Sequence, residues 1–385
     1  MSMIVRRLCL TLLLVGAAGG VVGAKEKAPK FPEHVVVVIV GGGVRAADFG
    51  DAKTMPRLKA LMDRGRVVKK VQAGAPDPYS ATMRILTGRN ETIEAAKLPR
   101  SAYPTLMEYV RHDRKLPAEK VWYVSFEGGD HLHLATSTDA AYGVAAAPSV
   151  ATGVGAFAGP LARFLEDRGR PDPVEDDAWA VLRKLRLLGR EARRSWLPQD
   201  LDAGLPSAER VERALLRELD RKRHPALLKQ THPTTPRDEQ AIRAALTVLA
   251  VHRPVLTVIR LGEAERAVHS FDEYRAVLAH ADEGLGRLED AVAADEQMRG
   301  KTTFVVLPDL GRNEKPDAEG RLGADDASKQ RTRVSVVFAG PGLRRRGRVE
   351  GDASLDDVCP SVAWLLGARA PAANGRVWTG LFRDR

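Results

Sequence analysis

Hydrophobic and polar residues alternate in two textures along this chain. One is the short, unbroken apolar run. His34 to Val40 reads HVVVVIV, and similar runs follow at Val121–Phe126, Val255–Leu261, Thr302–Leu307 and Val334–Ala339. A β-branched run of that length suits a strand buried on both faces, hence a parallel sheet covered by helices. The other texture is the helical stripe. Thr54 is placed to cap a helix with Pro56 in its first turn, Leu58, Leu61 and Met62 on one face and Gly65 as its stop. Ser270 and Glu273 have capping-box spacing. Tyr274, Val277, Leu278, Ala281, Leu285, Leu288, Ala291 and Val292 then keep to one stripe. Strands alternating with helices predict an α/β fold with a largely parallel central sheet flanked by helices.

The strand texture fades between about 159 and 253. That stretch is rich in Arg, Leu, Ala and Glu, is punctuated by prolines, and carries helical patterns at Trp179–Leu188, Val211–Leu219 and Ile242–Leu249. It reads as a helical insertion, a cap over one edge of the sheet. The first residues follow another logic. Arg6 and Arg7 precede an apolar run from Leu8 to Ala18, and Val22-Gly23-Ala24 offers small residues for cleavage. This is the order of a secretory signal peptide, which predicts export to the periplasm or the medium. The expected organisation is a leader at 1–24, a charged, proline-containing linker at 25–33, and one α/β domain from 34 to 385.

Composition trims the remaining choices. The chain has 385 residues, 44% of them hydrophobic, which excludes a mostly disordered protein. No stretch of 18 apolar residues lies in the body, so no membrane span is expected after leader cleavage. The two cysteines exclude a disulfide scaffold and a Cys-rich zinc module. Cys9 would leave with the leader, and Cys359 sits in an apolar helical pattern as a buried thiol. The formal charge of +10 falls to +8 once Arg6 and Arg7 are removed. The runs Arg193-Arg194 and Arg344–Arg346 read as solvated basic faces. Aromatics are only 5% of the chain, without the interleaving of a nucleic-acid surface, so no nucleic-acid partner is expected.

Ligands of open α/β sheets bind beyond the carboxyl ends of the strands. Gly41-Gly42-Gly43 follows the first strand. Glu265 and His269 follow the run ending at Leu261, and Asp309 follows the run ending at Leu307. Two carboxylates and an imidazole so placed are able to hold a divalent metal. The bland alternative is that both acids cap turns and His269 precedes a helix cap. Gly41-x-Gly43-x-x-Ala46 loosely matches a dinucleotide fingerprint, but no amphipathic helix follows and no strand ends in an acid about 20 residues on. Asp130-His131-Leu132-His133 carries two alternate imidazoles, for which a polar loop is the simpler account.

The order of these segments resembles the alkaline phosphatase/sulfatase superfamily. Val35–Arg45 resembles its opening strand and Asp-Gly-x-Arg turn. Thr54–Leu61 resembles its Thr-Pro-Asn-Leu-x-x-Leu helix, and Ile85-Leu86-Thr87-Gly88-Arg89 its Leu-Leu-Thr-Gly-Arg signature. Glu265–His269 resembles the Asp-x-x-x-His metal motif, followed by a helix with Tyr274, Asp282, Leu285 and Gly286 in place. Pro308-Asp309-Leu310-Gly311 resembles Ser-Asp-His-Gly, Val334–Gly342 the late strand ending in Gly-Pro-Gly, and Asp357–Gly367 the Asp-Ile-Ala-Pro-Thr-Ile-x-x-Leu-Leu-Gly helix.

The resemblance implies a hydrolase of phosphate, sulfate or phosphonate groups, with a hydroxyl-type nucleophile and one or two metals. Carried over residue by residue, it meets losses. The first metal carboxylate falls at Gly42. The nucleophile falls at Pro78, leaving Ser80 or Thr82 as substitutes. The Asp of the Asp-x-x-x-His motif is Glu265, and His269 is retained. Asp309 is retained beside Leu310, where an imidazole is implied. No His follows His280, so Asp325 or Asp326 would replace the last ligand. Two expectations stay open. In the first, the chain is an exported protein of this fold, catalytically impaired, that acts as a binding or interaction module. In the second, it is a metal-dependent ester hydrolase with Ser80 or Thr82 as nucleophile and one metal on Glu265, His269, Asp309 and Asp325. The cofactor is then one divalent ion (Zn, Mn, Mg or Ca) or none. The basic balance points to an anionic small molecule or an envelope component as partner.

Overall fold

The computed structural model describes residues 30–75, 77–91, 100–126, 133–142, 146–152, 155–157, 236–267, 270–316, 322, 332–345, 349 and 351–384. The leader, most of the expected insertion, His269, Asp325 and Asp326 lie outside them. Eight strands are described: β1 (His34–Val40), β2 (Arg66–Gln72), β3 (Val121–Ser125), β4 (Ser149–Thr152), β5 (Gly155–Phe157), β6 (Leu256–Leu261), β7 (Thr302–Pro308) and β8 (Arg333–Ala339). They form one sheet in the order β2-β8-β7-β1-β6-β3-β4-β5. β1 lies at its centre, parallel to β6 on one side and to β7 on the other. β3 continues the parallel set between β6 and β4. Antiparallel pairs close both edges.

Every residue of β1 is buried, yet the strand serves two cores. Val35, Val37 and Ile39 pack on one face with α2 (Pro78–Thr87), α3 (Leu106–Asp113) and α7 (Val358–Leu365). Val36, Val38 and Val40 pack on the other with α1 (Pro56–Arg64), α4 (Arg237–His252) and α6 (Phe271–Ala294). The alternation of side chains along a strand thus turns an apolar run into the floor of two layers. α4 contains the expected stripe Ile242–Leu249. It packs directly on the sheet beside α6, with Ile242, Ala245 and Val248 fully buried, so this end of the 159–253 stretch belongs to the sheet's own covering layer. The patterns at 179–188 and 211–219 lie outside the described residues.

The start of α1 differs from the sequence expectation. Its N-cap is Met55, without a side-chain cap, and the Thr54 hydroxyl instead accepts from Arg275. The free amides of Arg57 and Leu58 donate to the two carboxylate oxygens of Asp282, at 2.9 and 2.8 Å. A carboxylate from α6 thus takes the capping role, and the negative group suits the positive end of the helix. Gly286, one turn further along α6, leaves room for the Arg57 side chain. Ser270 does cap α6, accepting from the Glu273 amide, and Cys359 is fully buried in α7.

α3 opens with a capping box, in which Thr105 and Glu108 exchange side-chain and backbone bonds. The Glu108 carboxylate is fully buried and also accepts from the amide and hydroxyl of Ser137. Burial outweighs these donors and pushes its pKa from an ordinary 4.5 up to about 7. A raised folded-state pKa contributes stability that is complete below about pH 4.5 and is lost as pH rises through about 7. Wild type should therefore lose up to about 3 kcal/mol between pH 4.5 and pH 8 relative to Glu108→Gln. Denaturant unfolding of both proteins across that range tests this, and parallel pH profiles would refute it.

Candidate functional site

The site grows out of strand register. On β6, Leu256 and Val258 face the α2–α3–α7 layer, and the next residue on that face is Arg260. On β7, Val305 and Leu307 face the same way, and Asp309 follows just past the strand end. On β1 the series Val35, Val37, Ile39 runs on to Gly41. Arg260 lies beside Ile39 in the β1–β6 register, and Val40 lies beside Pro308 in the β1–β7 register. Three adjacent parallel strands therefore deliver a guanidinium, a carboxylate and a missing side chain to one spot. The absence at Gly41 is required, because a Cβ there would sit 2.8 Å from the Leu261 carbonyl oxygen and 2.9 Å from both Cζ and Nη2 of Arg260.

Neither Arg260 nor Asp309 has any solvent exposure in its side chain. Arg260 Nη2 lies 3.7 Å from Asp309 Oδ2 and 3.4 Å from Glu265 Oε2, and Arg260 Nε donates to Thr82 Oγ1 at 3.1 Å. At an effective dielectric of about 20, two unit charges that close attract by about 4 kcal/mol. Both Asp309 oxygens are also engaged by the turn after β1. Gly42 N–H donates to Oδ2 and Gly43 N–H to Oδ1, each at 3.0 Å. The two glycines have φ of +91° and +81°, which aims consecutive amides at one anion as a nest. Burial still pushes the Asp309 pKa up to about 6, against the opposing pull of Arg260 and the two amides.

Arg312, three residues beyond Asp309, locks the surrounding loops. Its buried guanidinium donates to the carbonyls of Gly42, Ala264, Ala267 and Leu322 and lies over the Tyr274 ring. Burial lowers its pKa from the usual guanidinium value. Nearer the rim, Arg45 pairs with Asp48 and lies over Phe271.

The sequence-derived candidates fall as follows. Glu265, on the short helix α5 (Glu263–Arg266), and Asp309 meet at the same Arg260 nitrogen. Thr82 is fully buried one turn inside α2, with its hydroxyl accepting from Arg260. Ser80 is nearly buried, and its hydroxyl donates to Asp77 at 2.6 Å. Asp77 is the N-cap of α2 and Pro78 its first helical residue, so the position implied for a nucleophile serves as a helix start. Leu310 is buried among the core residues of the α2–α3–α7 layer. His269, Asp325, Asp130 and His131 lie outside the described residues, and His133 is half-buried. The residue that sequence reasoning passed over is Arg260. Its signal was present, as the one charge inside the fully buried strand LTVIRL.

The family's metal can be tested against this arrangement. The carboxylate implied at residue 42 has no space, since a Cβ on Gly42 would lie 2.2 Å from Glu265 N and 2.3 Å from Glu265 Cα. The cation facing Asp309 and Glu265 is the chain's own guanidinium. Among the described residues, no group of three or more His, Cys, Asp or Glu side chains is arranged to hold a metal. The described residues do not fit the metal centre that the resemblance implies. Gly42→Asp should consequently not rebuild a ligand. Clash with the Glu265 backbone and the positive φ should together cost at least about 3 kcal/mol. Denaturant unfolding reads that loss, and titration calorimetry with zinc should show no gain in affinity; a stable variant that takes up zinc would contradict it.

No protein-family model matches the sequence, and no curated protein sequence matches it. Solved structures do match. Alkaline phosphatase PafA aligns with 92% of this chain and 100% of its own at 11% identity, with a TM-score of 0.53. The PsFucS1 sulfatase from Pseudoalteromonas sp. aligns with 93% of this chain and 73% of its own at 11% identity and a TM-score of 0.51. Ps i-CgsB aligns with 90% of this chain and 75% of its own at 12% identity, again with a TM-score of 0.51. With the parallel strand set, the turn after β1 and the helices on both faces, these likenesses show that the chain has the alkaline phosphatase/sulfatase superfamily fold.

Proposed function

We propose that this chain is an exported protein of the alkaline phosphatase/sulfatase fold that does not hydrolyse esters and acts as a binding or interaction module. One observation carries the reading. The space for a metal carboxylate at Gly42 is filled by the Glu265 backbone, and Arg260 occupies the charge contacts of Asp309 and Glu265. Catalysis in this reaction class needs an oxygen nucleophile and charge neutralisation at the phosphoryl or sulfuryl group. Pro78 cannot attack, Thr82 is buried against Arg260, and the strand-end cation faces carboxylates instead of substrate. Export rests on the order of charge, apolar core and small residues at 1–24. No helix among the described residues is long and apolar enough to cross a membrane. The expected ligand is an anionic small molecule or envelope component, suited to a mature charge of +8 after Arg6 and Arg7 are removed.

A second reading keeps hydrolysis, and one contact favours it. Ser80 Oγ donates to Asp77 Oδ2 at 2.6 Å, the geometry of a hydroxyl beside its base. The same contact also serves the N-cap of α2, since Asp77 accepts from the Ser80 amide as well. One experiment separates the readings. Mature protein is assayed on aryl phosphate, phosphodiester and sulfate ester substrates with Zn, Mn, Mg and Ca. The expected result is no turnover above buffer. Metal-dependent turnover abolished by His269→Ala, or any turnover abolished by Ser80→Ala, would overturn the binding-module reading.

A further inference from the structure

We infer that the guanidinium of Arg260 replaces the metal of this fold as a built-in cation, so that the folded chain requires no divalent ion and accepts none at this site. This deepens the metal-free reading above and rests on it for the misfit at Gly42. Several features of the site point the same way. Arg260 projects from the carboxyl end of β6, between the ends of β1 and β3 in the sheet order, where ligands of parallel sheets collect. Its side chain is wholly buried, which a guanidinium tolerates only when anions and acceptors surround it. Asp309, Glu265 and Thr82 supply those groups. Finally, Gly41 leaves the space that the guanidinium fills, since a Cβ there would lie 2.9 Å from Cζ and Nη2 as well as 2.8 Å from the Leu261 carbonyl oxygen.

A divalent ion is shut out by the same features. Metal–carboxylate bonds are about 2.1 Å long. An ion bound to Asp309 Oδ2 would lie within reach of the Arg260 nitrogen, like charge against like charge. It would also compete with the two glycine amides that already hold both oxygens. Arg260 has the planar donor set and weak hydration that suit it to a buried role, which Lys lacks. It acts here as a positioning residue, fixing Asp309 under the β1 turn and Thr82 on α2.

The test uses the whole mature protein. Metal content is measured on wild type as purified, and its unfolding midpoint is compared in EDTA and in 1 mM Zn, Mn, Mg or Ca. Sub-stoichiometric metal and an unchanged midpoint are expected. A denaturant double-mutant cycle over Arg260→Met, Asp309→Asn and the double variant reads the pairing directly. Each single change should lower the folding equilibrium constant at least tenfold, and the double variant should be at least tenfold more stable than additivity predicts. If a single variant does not fold, the double variant's folding beside it gives the same answer. Stoichiometric metal in wild type, a midpoint raised by a divalent ion, or strict additivity would overturn the proposal. The outcomes separate from the hydrolysis assay. Metal binding without turnover would defeat this inference alone, and turnover by metal-free protein would defeat the binding-module reading alone.

Discussion

A positive charge sealed in a protein interior dictates its surroundings, and Arg260 does so here. Desolvating a guanidinium costs several kcal/mol, which only close anions and well-aimed acceptors offset. Asp309 answers from β7, Glu265 from the turn beyond β6 and Thr82 from α2. The β1 turn is drawn in behind Asp309, because the carboxylate that faces Arg260 also collects the amides of Gly42 and Gly43. Arg312 then fixes that turn from its other side through the Gly42 carbonyl. Removing any one element would leave a buried charge or a buried amide unsatisfied. The loops at the carboxyl ends of β1, β6 and β7 are thereby one electrostatic unit.

The sheet makes this unit possible by holding register. Side chains of period two, on three parallel strands of fixed alignment, put residues 41, 260 and 309 on a single face. A one-residue slip of β6 would turn Arg260 into the opposite core, among Val38, Ile259 and Leu261. β1, apolar from Val35 to Val40, contributes by burying both faces. Register is then set by the two neighbouring ladders and by the capped helices on either side. Asp282 plays the comparable part for α1, because its carboxylate pins the helix start to α6.

Much of this was legible in the sequence where local pattern and global role agree. The apolar runs of β1, β3, β6, β7 and β8 stood out because those strands are buried on both faces. β2, β4 and β5 did not, β2 for a physical reason. β2 is an edge strand, it carries Lys69 and Lys70 at a bulge where Lys70 has φ of 60°, and nearly half of it faces solvent. The Thr54 cap was misread because the true partner of the α1 amides is Asp282, a contact no local spacing encodes. The convergence of Glu265 and Asp309 followed from their places after strands. What joins them did not, because reading β6 as an apolar run treats Arg260 as an interruption.

Arg260 also explains why two departures from the family motifs come as a set. With a guanidinium in place, a carboxylate at residue 42 would have neither space nor a metal to serve. Glycine there instead lets the Glu265 backbone close in and turns its amide toward Asp309. An imidazole at residue 310 would have no metal to serve on that proposal, and would be buried in the apolar core that Leu310 now joins. The hydroxyl at Thr82 accepts from Arg260 inside α2. Pro78 and Asp77 are the residues that begin that helix. On the proposed exchange of cation, Gly42 and Leu310 form one set at the carboxyl ends of the strands, the first closed over by the Glu265 backbone and the second buried in the core.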